Sequence, residues 1–455
     1  MIRKILLFLL LSTAGCLYCQ NVKSPRNIIL MISDGCGYNQ IEITDLYQHG
    51  FTGSQSYESF PVRLAVSTYP ADTPGYDPAR IWSDFHAAEE YWTDSAAAAT
   101  ALATGYKTRN GFLGKSPEGM DFLNITEVAE NCKKSTGVVT SVHFTSATPA
   151  AFIVHHSNRY DYEDIALQML VKSSVDVIMG CGHPWYDNDG IKRETARSFK
   201  YVGGEAVWHG MRQGSTELDL DGDGTWDTAL ADADHDGIPD PWFLIETREE
   251  FLYCCRDSIP KRLLGIPLIY NTLQYSRLGE SRHPFDVPLN ENVPTLAEMS
   301  NIALQVLSFN EKGFFLMIEG GAVDKACHHN NTCRLIEEEI DFNLAVEAVI
   351  AWIEKNSSWE ETLLIVTADH ECGYLTGPDS GEPGNSTVNS IKGEGRGRIP
   401  VHEWHSGSHT NMLVPLFAKG QGAEFLSRRA VKTDPCYGEY LDNTDIGDLL
   451  IQFWK

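Results

Sequence analysis

The chain is poor in basic residues. It has 36 Lys and Arg against 62 Asp and Glu, a formal charge of −26 over 455 residues. A nucleic-acid binder shows a basic footprint, so no nucleic-acid partner is expected. Beyond the first twenty residues no apolar run is long enough to span a bilayer. Beyond the first twenty residues no Cys-x-x-Cys pair occurs, which argues against zinc held by thiolates. Gly-x-Ser-x-Gly is missing too, so nothing marks a hydrolase triad. What remains is ordinary globular composition, 42% hydrophobic and 22% charged, with ample material for a core. The length would allow two or three domains, yet large α/β enzymes often run as one elaborated domain.

The first twenty residues have the order of an export signal. Arg3 and Lys4 precede the apolar run Ile5 to Leu11, and Ser12 to Gly15 form a small-residue tail. Residues 1–20 are therefore read as a signal and 21–455 as the mature catalytic domain, periplasmic or extracellular. Thr13-Ala-Gly-Cys16 is close to a lipoprotein box, so two outcomes stand: a lipid-anchored membrane lipoprotein, or plain cleavage near Cys19 or Gln20. Outside the signal are nine cysteines, an odd number that cannot all pair internally, with Cys327 and Cys333 spaced for a local bridge.

Four apolar runs end in chemically able residues. Asn27 to Ser33 leads into Asp34, Gly137 to Val142 towards Ser146 and Thr148, Phe314 to Ile318 into Glu319, and Leu363 to Thr367 into Asp369-His370. Such runs read as strands buried on both faces. The helical patterns between them, Thr295 to Leu307 and Cys333 to Lys355, predict an α/β fold: a large, mainly parallel sheet with helices on both faces. Ligands in such sheets bind beyond the carboxyl ends of the strands, where all four runs deliver their polar groups. A lone Asp after a strand is usually a turn residue or a helix cap. Four such exits together are harder to dismiss. The Asp-, Gly- and Trp-rich stretch of about 184–267 is read as an insertion over the catalytic face.

Thr93-Asp-Ser95 precedes an alanine-rich segment that forms helix readily, with Thr93 or Asp94 as its cap. Ser95 then sits in the first turn, where free N–H groups and the helix dipole attract an anion the size of phosphate. Taken alone, it reads as a plain capping serine. A serine needs a base or a metal to become nucleophilic, and metal ligands are plentiful. Asp324 and His328 stand four apart, on one face if the segment is helical. Glu319, Asp369-His370 and His409 add carboxylates and imidazoles. Such sets suit two zinc ions plus one magnesium.

At these residues the chain resembles the alkaline phosphatase family. The matching motifs are Asp34-Gly35, Thr93-Asp-Ser-Ala-Ala97, Ala147-Thr-Pro-Ala-Ala151 with Arg159, Glu319-Gly-Gly-Ala-Val-Asp324 with His328, and Thr367-Ala-Asp-His370. The resemblance spans about Asn27 to Gly420. It implies hydrolysis of small phosphate monoesters at alkaline pH, through a phosphoserine on Ser95. It implies one zinc on Asp369, His370 and Asp34, a second on Asp324, His328 and His409, and magnesium on Asp34, Thr148 and Glu319. Arg159 would clamp phosphate, and a homodimer would be common for the family. His405 competes with His409. His155, His156 and His329 are read as structural, and Cys36, Cys327 and Cys372 as packing. Ser146 stands where members often carry Asp or His near the magnesium water shell, and Lys325 resembles the bacterial form that reaches phosphate through water. A sulfatase would carry Cys/Ser-x-Pro-x-Arg at the nucleophile, which Ser95-Ala-Ala lacks.

Two acidic loops share the pattern DxDxDGxxD. The first is Asp219, Asp221, Asp223, Asp227 and the second Asp232, Asp234, Asp236, Asp240. Alternate carboxylates with a turn glycine suit structural Ca2+. Neither has the twelfth-position Glu of an EF-hand. A calcium-binding surface protein with a phosphatase-like shell is the non-enzymatic rival.

Overall fold

The computed structural model describes residues 24–455 apart from 235, 256–257 and 383–386. The expected signal lies outside the described residues. Among those described, no helix is long and apolar enough to cross a membrane.

Eleven strands form one sheet: β1 Asn27–Ser33, β2 Val62–Ser67, β3 Ser135–His143, β4 Val177–Cys181, β5 Phe243–Ile245, β6 Leu263–Gly265, β7 Phe314–Gly320, β8 Thr362–Thr367, β9 Val414–Gly420, β10 Lys432–Asp434 and β11 Gly438–Asp442. Their order is β10-β11-β2-β9-β8-β1-β7-β3-β4-β6-β5. From β8 to β5 all neighbours are parallel, while β9 runs antiparallel to both β8 and β2. This is the expected α/β architecture. The central strands β1 and β7 are buried at every position, which explains their unbroken apolar sequence.

The register sets the site. Ile32 of β1 pairs with Glu319 on one side and Thr367 on the other, and Thr140 of β3 pairs with Glu319. Four neighbouring strands therefore end at one level. The covering helices include α1 Ser95–Thr104, α2 Ala147–Ala151, α3 Leu296–Leu307, α4 Ala322–His328 and α5 Thr332–Asn356. Thr295 caps α3 through a capping box with Glu298.

The stretch 184–267 does not lie wholly over the catalytic face. Its first part returns to the carboxyl end of the sheet, where Tyr201 stacks on His143 at 3.9 Å. The acidic loops lie at the opposite end: Ala231 N–H donates to Val171 O, and the Trp242 indole donates to Leu170 O at 2.8 Å. The last part supplies β5 and β6, so it extends the sheet. Both strands are three residues long, too short to announce themselves as apolar runs. The cysteines differ from expectation as well. All nine outside the signal are free, so Cys327 and Cys333 form no bridge. Each sits in a helix and is buried as a small apolar side chain.

Candidate active site

Ser95 opens α1, and Asp94 is its cap, accepting from Ala97 N at 2.9 Å. The buried Ser95 Oγ lies 3.2 Å from His370 Nε2. That nitrogen is also 3.2 Å from Asp369 Oδ2 and 3.5 Å from Asp34 Oδ1. Asp34 reaches this point because the chain turns sharply after β1. Gly35 has φ +76°, and a Cβ there would sit 2.9 Å from Asp324 Cα. Only glycine fits both demands. Its N–H donates to Asp369 Oδ1 at 3.1 Å, which ties two strand exits together.

A second cluster lies beside the first. Asp324 and His328 face the same way on α4, with His328 Nε2 3.3 Å from Asp324 Oδ1. His409 Nε2 is 3.4 Å from the same oxygen and 3.1 Å from His328 Nε2. His409 arrives through a short ladder in which Cys372 pairs with His409, and its ring stacks on His370 at 3.6 Å. His405 lies elsewhere, hydrogen-bonded to Thr376 Oγ1 at 2.7 Å. His155, His156 and His329 have partners of their own in Glu127, Asn158 O and Lys325 O.

In each of two groups the ligand atoms all lie within 4.8 Å of one another: Asp34, Asp369 and His370 in one, and Asp324, His328, His409 and Cys372 in the other. Cys372 was expected only to pack. It lies within ligand reach, yet burial holds its thiol well above the ordinary range, which disfavours a thiolate. Glu319 and Thr148 lie in the core beneath, with Thr140 Oγ1 donating to Glu319. Thr140 escaped the sequence reading. Its only signal was a hydroxyl inside an apolar strand. Ser146 is buried at the start of α2 without a side-chain cap bond.

The charges here are in conflict. Burial, then Asp369, Asp324 and Glu319, push the Asp34 carboxyl well above its usual range. Burial raises Asp369 to about 6 and Glu319 to about 7. Burial would raise Asp324 too, but the Lys325 ammonium and the two imidazoles hold it well below normal. Burial and the neighbouring His409 keep His370 neutral. Five buried oxygens make no well-formed hydrogen bond: Asp34 Oδ1, Asp324 Oδ1, Asp369 Oδ2, Glu319 Oε1 and Thr148 Oγ1, although the three aspartate oxygens lie 3.2–3.5 Å from imidazole nitrogens. Buried oxygens are rarely left so. Arg159 Nη1 meets Asp94 Oδ2 at 3.0 Å, with its side chain 15% exposed.

In the acidic loops, Asp219, Asp221 and Asp227 come together, as do Asp232, Asp234 and Asp240. Asp223 and Asp236 stand outside these triads and accept from Thr225 N and Ile238 N. Lys261 Nζ lies in the second loop, 3.2 Å from Asp240 Oδ1.

The alkaline phosphatase family model matches residues 25–401. The chain belongs to the alkaline phosphatase family. It is accordingly a phosphomonoester hydrolase. It is 29% identical over 449 residues to an alkaline phosphatase of Escherichia coli, covering 91% of this chain and 85% of that one. It is 26% identical over 448 residues to alkaline phosphatase H of Pseudomonas aeruginosa, covering 90% and 84%. The alkaline phosphatase of the Antarctic bacterium TAB5 shares the fold, with a TM-score of 0.63, 24% identity, and 95% and 100% coverage. A mutant of that enzyme is described with Mg bound in the M3 site, at a TM-score of 0.60, 23% identity, and 95% and 98% coverage.

Proposed function

We propose that Ser95 is the nucleophile, forming a phosphoserine that water then cleaves to inorganic phosphate. Asp369, His370 and Asp34 would hold a zinc ion facing Ser95, and Asp324, His328 and His409 a second. Asp34, Thr148 and Glu319 would hold magnesium, with Asp34 shared. The observation that carries this reading is a buried cluster of imidazoles and mutually repelling carboxylates in which five oxygens lack a well-formed hydrogen bond. Cations satisfy those oxygens and remove the repulsion. Imidazole with carboxylate suits zinc, and an all-oxygen set suits magnesium, as the magnesium-bound TAB5 mutant also suggests.

When bound, the metals would supply positive charge that lowers the serine pKa and balances charge on the attacking and leaving oxygens. The chain's own groups do the rest. The free N–H groups of the first turn of α1 would bind a phosphate oxygen. Arg159, steadied by Asp94, would clamp two more, which favours a dianionic monoester over a diester. Lys325, 39% exposed at the side chain and 3.0 Å from Asp324 Oδ2, would reach phosphate through water. Ser146 leaves a neutral hydroxyl beside the magnesium ligands.

The test compares p-nitrophenyl phosphate with its sulfate and its bis-ester; preference for either competitor overturns the assignment. Ser95→Ala should cut turnover by roughly 10³-fold or more while zinc stays near two per chain by mass spectrometry. Full activity in that variant refutes the nucleophile. We also read the chain as exported, and its acidic triads as structural calcium sites. Calcium should then raise the melting temperature, and an unchanged melt removes that role.

A further inference from the structure

Lys192-Arg-Glu-Thr-Ala-Arg-Ser-Phe-Lys200 holds four bases and one acid in nine positions, within a chain whose acids far outnumber its bases. At its end the chain comes back to the carboxyl edge of the sheet. The Tyr201 ring lies flat on His143, at 3.9 Å and 14°. His143 closes β3 three residues before Ser146 and five before Thr148. Lys200 Nζ lies 4.7 Å from the centre of the Tyr201 ring and 4.9 Å from that of Tyr162. Tyr162 meets Tyr160 edge-on at 6.4 Å, and the Arg159 guanidinium is 5.7 Å from the Tyr160 ring. A chain of aromatic contacts through Tyr162 and Tyr160 therefore joins Lys200 to the phosphate clamp proposed above. Beyond the buried Tyr201 the row of rings continues to the buried Tyr270 at 5.2 Å, where the Arg197 guanidinium sits 4.2 Å over the ring.

The counter-charges differ along this row. Arg159 and Lys325 have Asp94 and Asp324. Among the described residues, neither Lys200 nor Arg197 has a carboxylate at ion-pair distance; both rest on aromatic faces. A cation on a ring keeps its charge available to an anion while its stem is held in place. Cations without acidic partners beside a concave site also concentrate anions there.

We infer that this rim recognises a second phosphate on the leaving side of the substrate, so that the enzyme prefers bisphosphorylated esters to esters with a neutral leaving group. The inference rests on the phosphatase reading above. The part-exposed ring of Tyr162 would carry the body of the substrate, with the buried Tyr201 holding Lys200 from beneath, while Lys200 and Arg197 pair with its far phosphate.

The test uses the full chain loaded with zinc and magnesium, at fixed ionic strength. It compares fructose 1,6-bisphosphate, fructose 6-phosphate and p-nitrophenyl phosphate. The bisphosphate should have a kcat/KM about tenfold above fructose 6-phosphate, as one charge-assisted contact would give. Lys200→Gln should remove that advantage through KM, leaving kcat and the p-nitrophenyl phosphate rate unchanged, and Lys200→Arg should keep it. Arg197→Gln, at an exposed position, tests the same rim if Lys200→Gln melts early. Equal kcat/KM for the two sugar phosphates overturns the inference. So does a parallel loss on all substrates in Lys200→Gln, which would mean general attraction of anions. If none of the three esters is hydrolysed, the phosphatase reading falls, and this one with it.

Discussion

Asp94 serves two neighbours at once. One oxygen caps α1 through Ala97 N, and the other holds Arg159 at 3.0 Å and Gly111 N at 2.8 Å. From sequence it is only a plausible cap, because nothing in Thr93-Asp-Ser shows an arginine 65 positions away. Asp94→Ala should therefore do more than remove a cap, which alone costs about 1 kcal/mol. It should free Arg159 and weaken inhibition by inorganic phosphate by about tenfold, the loss expected for one charged hydrogen bond. An unchanged inhibition constant with a lowered melting temperature would reduce Asp94 to a cap.

At the scale of elements, the long helix α5 packs buried acids against the sheet. Glu338 is 4% exposed, and its Oε1 has no partner. Burial, with Asp341 adding to it, raises its carboxyl to about 8. The folded state thus holds this proton more tightly than the unfolded chain, whose Glu titrates near roughly 4.3. The contribution is full below the unfolded value and is lost as pH rises through the folded one. Glu338→Gln should remove that slope, so its melting temperature should gain on wild type from about pH 5 to about pH 8 and level off above it. A constant offset would show that Glu338 does not titrate there. Of these elements, β1, β7, β8 and α5 were legible, because a two-sided buried strand must be apolar throughout and a long helix must repeat its apolar face. The edge strands β5 and β6 were not, since three residues are too few to carry a pattern.

For the whole molecule, the metal cluster and the fold are coupled. Without cations, Asp34, Asp369 and Glu319 all have raised carboxyl pKa values. Metal-free protein should lose thermal stability as pH rises from about 4 to about 7, because each group ionises against its neighbours only at a cost. Protein with zinc and magnesium restored should lose less over that window, keeping only the slope of buried acids outside the cluster such as Glu338. Identical profiles before and after chelation would mean that the cluster does not hold metal. With all nine cysteines free, a reductant should leave either profile unmoved.

The family, and the places of Ser95 at a helix start and of the carboxylates at strand ends, were legible in sequence alone. The reason is that a capped helix start and the end of a strand buried on both faces each impose residue types that are local in the chain. Tertiary structure alone decided which partners meet. His409 rather than His405 faces Asp324 because a two-residue ladder sets its register against Cys372. The acidic loops lie at the far end of the sheet from Ser95 because the stretch 184–267 crosses it. The basic segment ending at Lys200 borders the site only because Tyr201 folds back onto His143. Contacts between residues far apart in the chain leave no period or spacing in it, so only the folded backbone could show them.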